Sequence, residues 1–592
     1  MVTAARTNRV LVAILIAFLG TSLAHAQNSR RTQKQNPKKS SGTESSLESV
    51  ARRRMMIGRL ESAGERAKTL NNTILKVRVL AKVADVLWAE NSSRARELFR
   101  TAFENIESIE LTAAQDQRVA MAQARNGRFG PLFHLRSHVL QLIARHDQAL
   151  AKELLDSYTD ASNKEDADKA NNLSKEELAY ISEDVAVASA RTQPERSTQL
   201  VRVLLTKRID HSLVFLLVRI RRENPNLADS LFREALTVAG QHGLIPAELE
   251  ALSVYVLPTE DDLFYGNDPL ADPARHAAAS GFLDYVYAGA TQLGSAMTFT
   301  SSSQELDRQL ARRVYNALTR VLPLFARVQP QRASVVNDQM RRLLGFMESG
   351  DALRADKPLR KSVDELLHDA ESTVGEKRRT LAFMRASSAA LTDGDVDRSI
   401  AIAERIDDPY ERQIQTSLVR YQTSMKMLRD GKVEKAYEFA KVVEFLPQRV
   451  LLYDRLAQKL RKDGDQNRSR ETLEDIWAWL LKAPNGPQKV DAMLTITLTM
   501  AQQDVERAFE LIQSTVKTLN TTDFSFSSPD PNRISVELAI SPDMLPIEPV
   551  FVALAKSDVE RAYGIAETLT SPPLSLLAQA TVFEQVLAFR GN

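Results

Sequence analysis

Cysteine is missing altogether from the 592 residues, which removes disulfide frameworks, zinc-thiolate sites, iron–sulfur clusters and thiol nucleophiles together. Glycine is scarce. Its 21 residues are about half of average usage, too few for the Gly-rich turns on which sandwiches and barrels are built. Net charge is nearly absent as well: 78 Lys plus Arg face 76 Asp plus Glu, so there is no concentrated basic face of the kind phosphate backbones require, and nucleic acid is not an expected partner. No stretch after residue 26 reaches 18 consecutive apolar residues, so no transmembrane helix is expected once a leader is removed. What remains is a long chain dominated by Ala, Leu, Arg, Glu and Gln, and the expectation is an all-α fold.

Residues 1–26 read as a secretory signal peptide. Arg6 and Arg9 supply the positive start, residues 10–19 the apolar stretch, and Ala24, His25 and Ala26 a small-x-small cleavage site. The chain is therefore expected to be exported, periplasmic or secreted, with the mature form beginning near Gln27. Residues 27–50 carry Arg30, Arg31, Lys34, Lys38 and Lys39 against Glu44 and Glu48, with almost nothing apolar to bury, and are expected to form a disordered basic tail. Its simplest role is a spacer; the alternative is a weak electrostatic contact with the envelope. The rest of the chain sits near −3.

One short pattern recurs along that body: a polar residue, three residues, then Ala or Ser. The small residues are Ala95, Ala151, Ser197, Ala228, Ala333, Ser399, Ala436, Ser469, Ala508 and Ala562. Positions three, four and seven beyond each share one helical face and are apolar, failing once each at Thr472, Asn337 and Thr515. The first position is Asp or Asn in seven copies, where a side-chain oxygen can accept from the free N–H groups of a first helical turn. Pro194, Pro225 and Pro330 follow it where a missing N–H costs nothing, and Glu195, Asp397, Glu434, Glu506 and Glu560 lie at the positive end of the helix dipole. An apolar residue eight positions earlier (Leu87, Ile143, Ile220, Phe325, Leu391, Leu428, Met500, Leu554) marks the last core contact of a preceding helix. The unit is a helical hairpin, with Pro409, Pro447 and Pro572 marking the passage to the next.

The opening of the second helix is clearest at residues 392–399 (TDGDVDRS) and 429–436 (RDGKVEKA), with a small residue twelve positions before the notch at Ser387, Ser424 and Ala457. It resembles the second-helix start of tetratricopeptide repeats. That resemblance implies a right-handed superhelix of helix pairs whose concave side binds peptides or protein partners. The copies here lie 31 to 105 residues apart, so the expected architecture is a degenerate, irregular α-solenoid. Its expected parts are N-terminal helical repeats over 51–255, an irregular central helical region over 256–380, and C-terminal repeats over 381–592 interrupted by an insertion at 521–549. The central region holds an acidic loop at 257–273 with Phe264 and Tyr265 at its middle.

Recognisable catalytic chemistry is thin. His134 and His138 share a helix face, but Leu135 stands where a zinc protease has its glutamate base. No G-x-S-x-G elbow, Walker loop or dinucleotide fingerprint occurs, so no cofactor or metal is expected and no catalytic residue is assigned. One pattern stands apart. The residue before the notch is basic in eight copies: Arg94, Arg196, Arg332, Arg398, Lys435, Arg468, Arg507 and Arg561. A cation in a first turn opposes the helix dipole, so another interaction must favour it. Either each side chain reaches carbonyls or an acid on an adjacent hairpin, or the cations form a ladder for an acidic partner. On the second reading Arg398, Lys435, Arg468, Arg507 and Arg561 are candidate partner-binding residues, and Phe264 and Tyr265 join them from the acidic loop.

The functional expectation is an exported, non-catalytic helical-repeat scaffold that binds an unidentified protein or peptide in the bacterial envelope. Two alternatives belong to other classes: an envelope hydrolase or metal-dependent enzyme with its site in the central region around 257–303, and a structural envelope protein that self-associates through its end hairpins.

Overall fold

The computed structural model describes residues 46–115, 131–154, 157, 186–187, 190, 194–205, 209–257, 269–296, 304–346, 362–524 and 544–588. The leader, most of the basic tail, residues 258–268 of the acidic loop and residues 525–543 of the insertion lie outside them. Among the described residues all regular structure is helical. In chain order the helices are α1 (Ser46–Lys68), α2 (Thr73–Leu87), α3 (Ser92–Gln115), α4 (Pro131–His146), α5 (Pro194–Leu205), α6 (His211–Glu223), α7 (Pro225–His242) and α8 (Pro246–Val256). They continue with α9 (Pro273–Ala296), α10 (Gln304–Val328), α11 (Pro330–Phe346), α12 (Val363–Ser372), α13 (Glu376–Thr392), α14 (Val396–Ala403), α15 (Pro409–Arg429), α16 (Val433–Lys441) and α17 (Leu446–Lys462). The last six are α18 (Gln466–Lys482), α19 (Pro487–Ala501), α20 (Val505–Thr521), α21 (Ile547–Ala555), α22 (Val559–Glu567) and α23 (Pro572–Ala588). Helix α1 begins inside the segment expected to be tail; Ser46 with Glu48 behind it is a helix-starting pattern in its own right.

All ten notch residues fall at helix starts: α3, a helix over 148–154, α5, α7, α11, α14, α16, α18, α20 and α22. Six starts are capped as expected. The carboxylate or amide oxygen of Asn91, Asp147, Asn224, Asp395, Asp504 and Asp558 accepts from the N–H three residues on, at 3.0 to 3.1 Å. Nine notches are at most 3% exposed, and Ala333 is half-buried. The small side chain is needed because the two helices of a hairpin touch there. Ser387 Oγ donates to Ser399 O at 2.9 Å, Ser399 Oγ returns the bond to Ser387 O at 2.8 Å, and Ser424 Oγ donates to Ala436 O at 2.7 Å. Two of the three polar exceptions on the buried face are satisfied internally: Thr472 and Thr515 each donate to the carbonyl four residues back at 2.8 Å, while Asn337 is half-buried.

Two turns join the helices of a hairpin. In the regular stretch Gly394, Gly431 and Gly464 adopt φ of +86°, +73° and +90°, and the next N–H reaches back five residues: Asp395 to Ala390 O, Lys432 to Met427 O, Asp465 to Leu460 O. This is a left-handed glycine closure of the first helix, which a side chain would strain. Elsewhere the capping residue bonds four back with no glycine, as in Asn91 to Leu87 O, Asn224 to Ile220 O, Asp504 to Met500 O and Asp558 to Leu554 O.

The helices gather into two compact units. Unit 1 takes residues up to 102 together with 466–524 and 544–588. In it α19, α21, α23 and α2 pack successively side by side, and α1 packs on both α2 and α23. Their cores are apolar: α21 buries Ile547, Val550, Phe551, Leu554 and Ala555, and α2 is buried nearly all round. Unit 2 takes residues 103–465. One apolar core runs through α5 to α11, with Phe232 stacked on Tyr255 at 4.1 Å between ring centres. Gly289 of α9 lets Leu244 approach to where a Cβ would lie 2.9 Å away. Beyond it come the hairpins α13/α14 and α15/α16 and the first helix α17. The first helices α13, α15 and α17 adjoin directly, while α14 and α16 wedge against the first helix that follows each.

Candidate functional site

Five of the eight basic residues before the notches reach acids. Within unit 1 Arg507 of α20 forms a two-pronged pair with Glu474 of α18, Nε to Oε1 at 2.7 Å and Nη2 to Oε2 at 2.8 Å, and also meets Glu510. Arg561 of α22 bonds Glu506 of α20 at 2.7 Å and lies 4.2 Å over the Phe509 ring; Arg94 of α3 pairs with Glu65 of α1 and Glu97. Within unit 2 Arg398 of α14 pairs with Asp364 of α12, and Arg332 of α11 with Asp284 of α9. Each of the five reaches an acid on a neighbouring helix, and Arg94 and Arg507 add one on their own, Glu97 and Glu510; these offset the unfavourable dipole at the cation's own helix start. Lys435 is exposed, and where Arg398 has Asp364 thirty-four positions earlier, Lys435 has Ala401. Arg468 is half-buried. The side chain of Arg196, and Phe264 and Tyr265 entirely, lie outside the described residues.

A second cluster was not anticipated. The first helices α13, α15 and α17 bury hydrogen-bonding groups where apolar ones were expected. Of the eight residues α15 buries, Glu411, Gln415, Thr416, Ser417, Thr423 and Ser424 are polar, leaving only Val419 and Leu428. In α17, Asp454 and Arg455 are 5% and 7% exposed. Gln415 Nε2 donates to Ser387 Oγ at 3.2 Å, tying α15 to α13. Ser417 Oγ accepts from the N–H groups of Glu444 and Phe445 at 3.3 and 3.1 Å, tying α15 to the start of α17. Arg420 and Arg449 donate to the carbonyls of Val442 and Val443 at 3.0 and 3.3 Å, ending α16 with cations where its dipole is negative. Arg449 also lies 5.9 Å over Tyr453, whose ring meets Tyr437 at 5.8 Å. Arg412 Nη2 donates to Asp407 O at 3.1 Å, while its Nε and the Gln448 Oε1 are buried with no hydrogen-bond partner. Donors, acceptors and tyrosine faces are thus packed together in this layer.

Among the described residues a crevice of about 140 Å³ lies between α7 and α9, lined by Leu236, Thr237, Gly240, Gly243, Tyr285, Ala288, Gly289 and Gln292. Tyr285 is its one titratable group; its hydroxyl donates to Gly243 O at 3.4 Å, and burial pushes its pKa up, so it stays protonated. Nearby His242 Nδ1 meets Glu248 Oε1 at 3.1 Å. Among the described residues no three His, Asp or Glu side chains converge as a metal ion would need, and no helix is long and apolar enough to cross a membrane.

No family model matches the sequence, and no curated protein does. A solved structure described as a circular tandem repeat protein with novel repeat topology and enhanced subunit contact surfaces is similar to this chain at 12% identity, over 89% of this chain and 97% of its own, with a TM-score of 0.16. At that TM-score the likeness carries no argument about function. The helices themselves make the chain a degenerate helical-repeat protein with an all-α, solenoid-type fold.

Proposed function

We propose that this protein is an exported helical-repeat scaffold that binds a protein or peptide partner across the first-helix layer α13, α15 and α17. The observation that carries the reading is polar burial. A buried polar group contributes less than an apolar one of its size and costs about 1–3 kcal/mol where it lacks a partner. An array needed only for its shape has the cheaper solution that α21 uses. Glu411, Gln415, Asp454 and Arg455, with the unfilled Arg412 Nε and Gln448 Oε1, therefore call for a role other than stability. The leader supports export, and the paired arginines at the second-helix starts serve first as links between hairpins.

The test is site-directed photo-crosslinking in an envelope extract, with the reactive residue placed at Gln448 or Arg412 of the first-helix layer and, as control, at exposed Glu438 of α16. The same protein captured from both layer positions and not from the control is the expected result. Equal capture from all three, or from the control alone, would remove the layer as the contact surface. N-terminal sequencing of exported material beginning near Gln27 checks the leader; an intact Met1 would overturn export.

A further inference from the structure

The regular contacts between successive second helices give a way to ask where α1 belongs. Arg561 precedes the notch Ala562 of α22, and its guanidinium lies over Phe509, the residue after the notch Ala508 of the preceding second helix α20. On α1, Arg59 precedes the fully buried Leu60, and its guanidinium lies 5.0 Å over Tyr563, the residue after the notch Ala562 of α22. The relation repeats position for position. A second contact runs the other way. Arg507 of α20 pairs with Glu474, five residues after the notch Ser469 of α18; Arg94 of α3 pairs with Glu65, five residues after Leu60 of α1. The face is right too, since Ala63, Gly64 and Ala67 are buried three, four and seven residues beyond Leu60. Helix α1 thus stands between α22 and α3 as one second helix stands between two others.

Its first helix is α23. Pro572 opens α23 after the hairpin α21/α22, no second helix follows it among the described residues, and α1 packs along it. On its other side α23 meets α2, where Lys82 Nζ, half-buried, bonds Glu584 at 2.7 Å with Asp85 and Glu548 nearby, and Arg78 pairs with Glu548. We propose that α1 is the second helix of the repeat begun by α23. The first and last described helices then build one composite hairpin, a noncovalent clasp locked by Lys82 and Glu584. Repeat arrays ordinarily need polar capping repeats to shield their open ends. Here α1, α2 and α23 cover one another, so the apolar faces of α2 and α23 are filled within the chain.

The lock is tested on the full chain with Lys82→Glu, Glu584→Lys and the double exchange. Each single change sets like charges together in a partly buried place and is expected to lower the unfolding midpoint of unit 1 by about 10 °C, with the double exchange regaining part of the loss, since Asp85 and Glu548 stay beside position 82. The register is tested separately, because a single variant that fails to fold would say nothing of it. The natural chain has no cysteine, so Arg59→Cys with Tyr563→Cys offers only the intended thiol pair to a short bifunctional reagent. A link within one chain, retained on dilution, is expected. No link, a link only between chains, or single exchanges that leave the midpoint unchanged would overturn the clasp.

Discussion

Helices α15 and α21 each open a hairpin and are held by different forces. In unit 2, α15 buries six polar side chains and two apolar ones; in unit 1, α21 buries five apolar ones and nothing polar. Each fully buried apolar side chain contributes about 1.5–3 kcal/mol, against about 0.5–1.5 kcal/mol net for a hydrogen bond. The notch (Ala436, Ala562) and the helix-dipole acid (Glu434, Glu560) are shared, though only Asp558 caps its helix, while the filling between first helices is free to vary. The apolar hairpins draw their stability from burial, the polar ones from hydrogen bonds that each contribute less.

The comparison breaks most readily at Phe551. Fully buried among α19, α21 and α23, it is expected to cost about 3–5 kcal/mol as Phe551→Ala in urea unfolding; a loss below 1 kcal/mol would deny the apolar hairpins their role. Next is Asp491 of α19, largely buried, whose carboxyl is pushed from its ordinary 3.8 up to about 6 by desolvation. Folding disfavours its charged form, so the stability it allows is complete below the unfolded value and is lost as pH rises through 6. Asp491→Asn is expected to raise the stability of unit 1 by about 2–3 kcal/mol at pH 7 and to flatten its slope between pH 4 and 6; an unchanged slope contradicts this. In the polar hairpins, Ser424→Ala removes one buried bond to Ala436 O and is expected to cost about 1 kcal/mol, well short of Phe551→Ala. A larger loss would make the polar layer structural after all. Smallest is Arg507→Gln, about 0.5 kcal/mol and less in high salt, because its pair with Glu474 is partly open to solvent.

The ten helix starts were legible because cap, dipole and notch are read within eight residues of one another. The place of α1 was not. Leu60 stands where the other second helices have Ala or Ser, and its partners Tyr563 and Arg94 lie at the far end of the chain and on a later helix. The basic residues were legible as a pattern, yet their acids, such as Asp364 for Arg398 and Glu474 for Arg507, sit a full hairpin away and had no mark of their own. The polar layer had no such mark: residues 409–429 carry an apolar stripe at helical spacing, Ile414, Leu418, Tyr421, Met425 and Leu428, and the burial of Gln415 and Ser417 beside it is set by the neighbouring helices.

The account rests on the notches being pressed between helices, and a chain without cysteine allows that to be measured one site at a time. Each of Ala95, Ala151, Ser197, Ala228, Ser399, Ala436, Ser469, Ala508 and Ala562 changed singly to Cys is expected to resist a thiol reagent in the folded protein and to react on unfolding, while Lys435→Cys reacts at once. Native-state labelling of the nine at the rate of the Lys435→Cys control would contradict the helical-hairpin stack and the scaffold built on it.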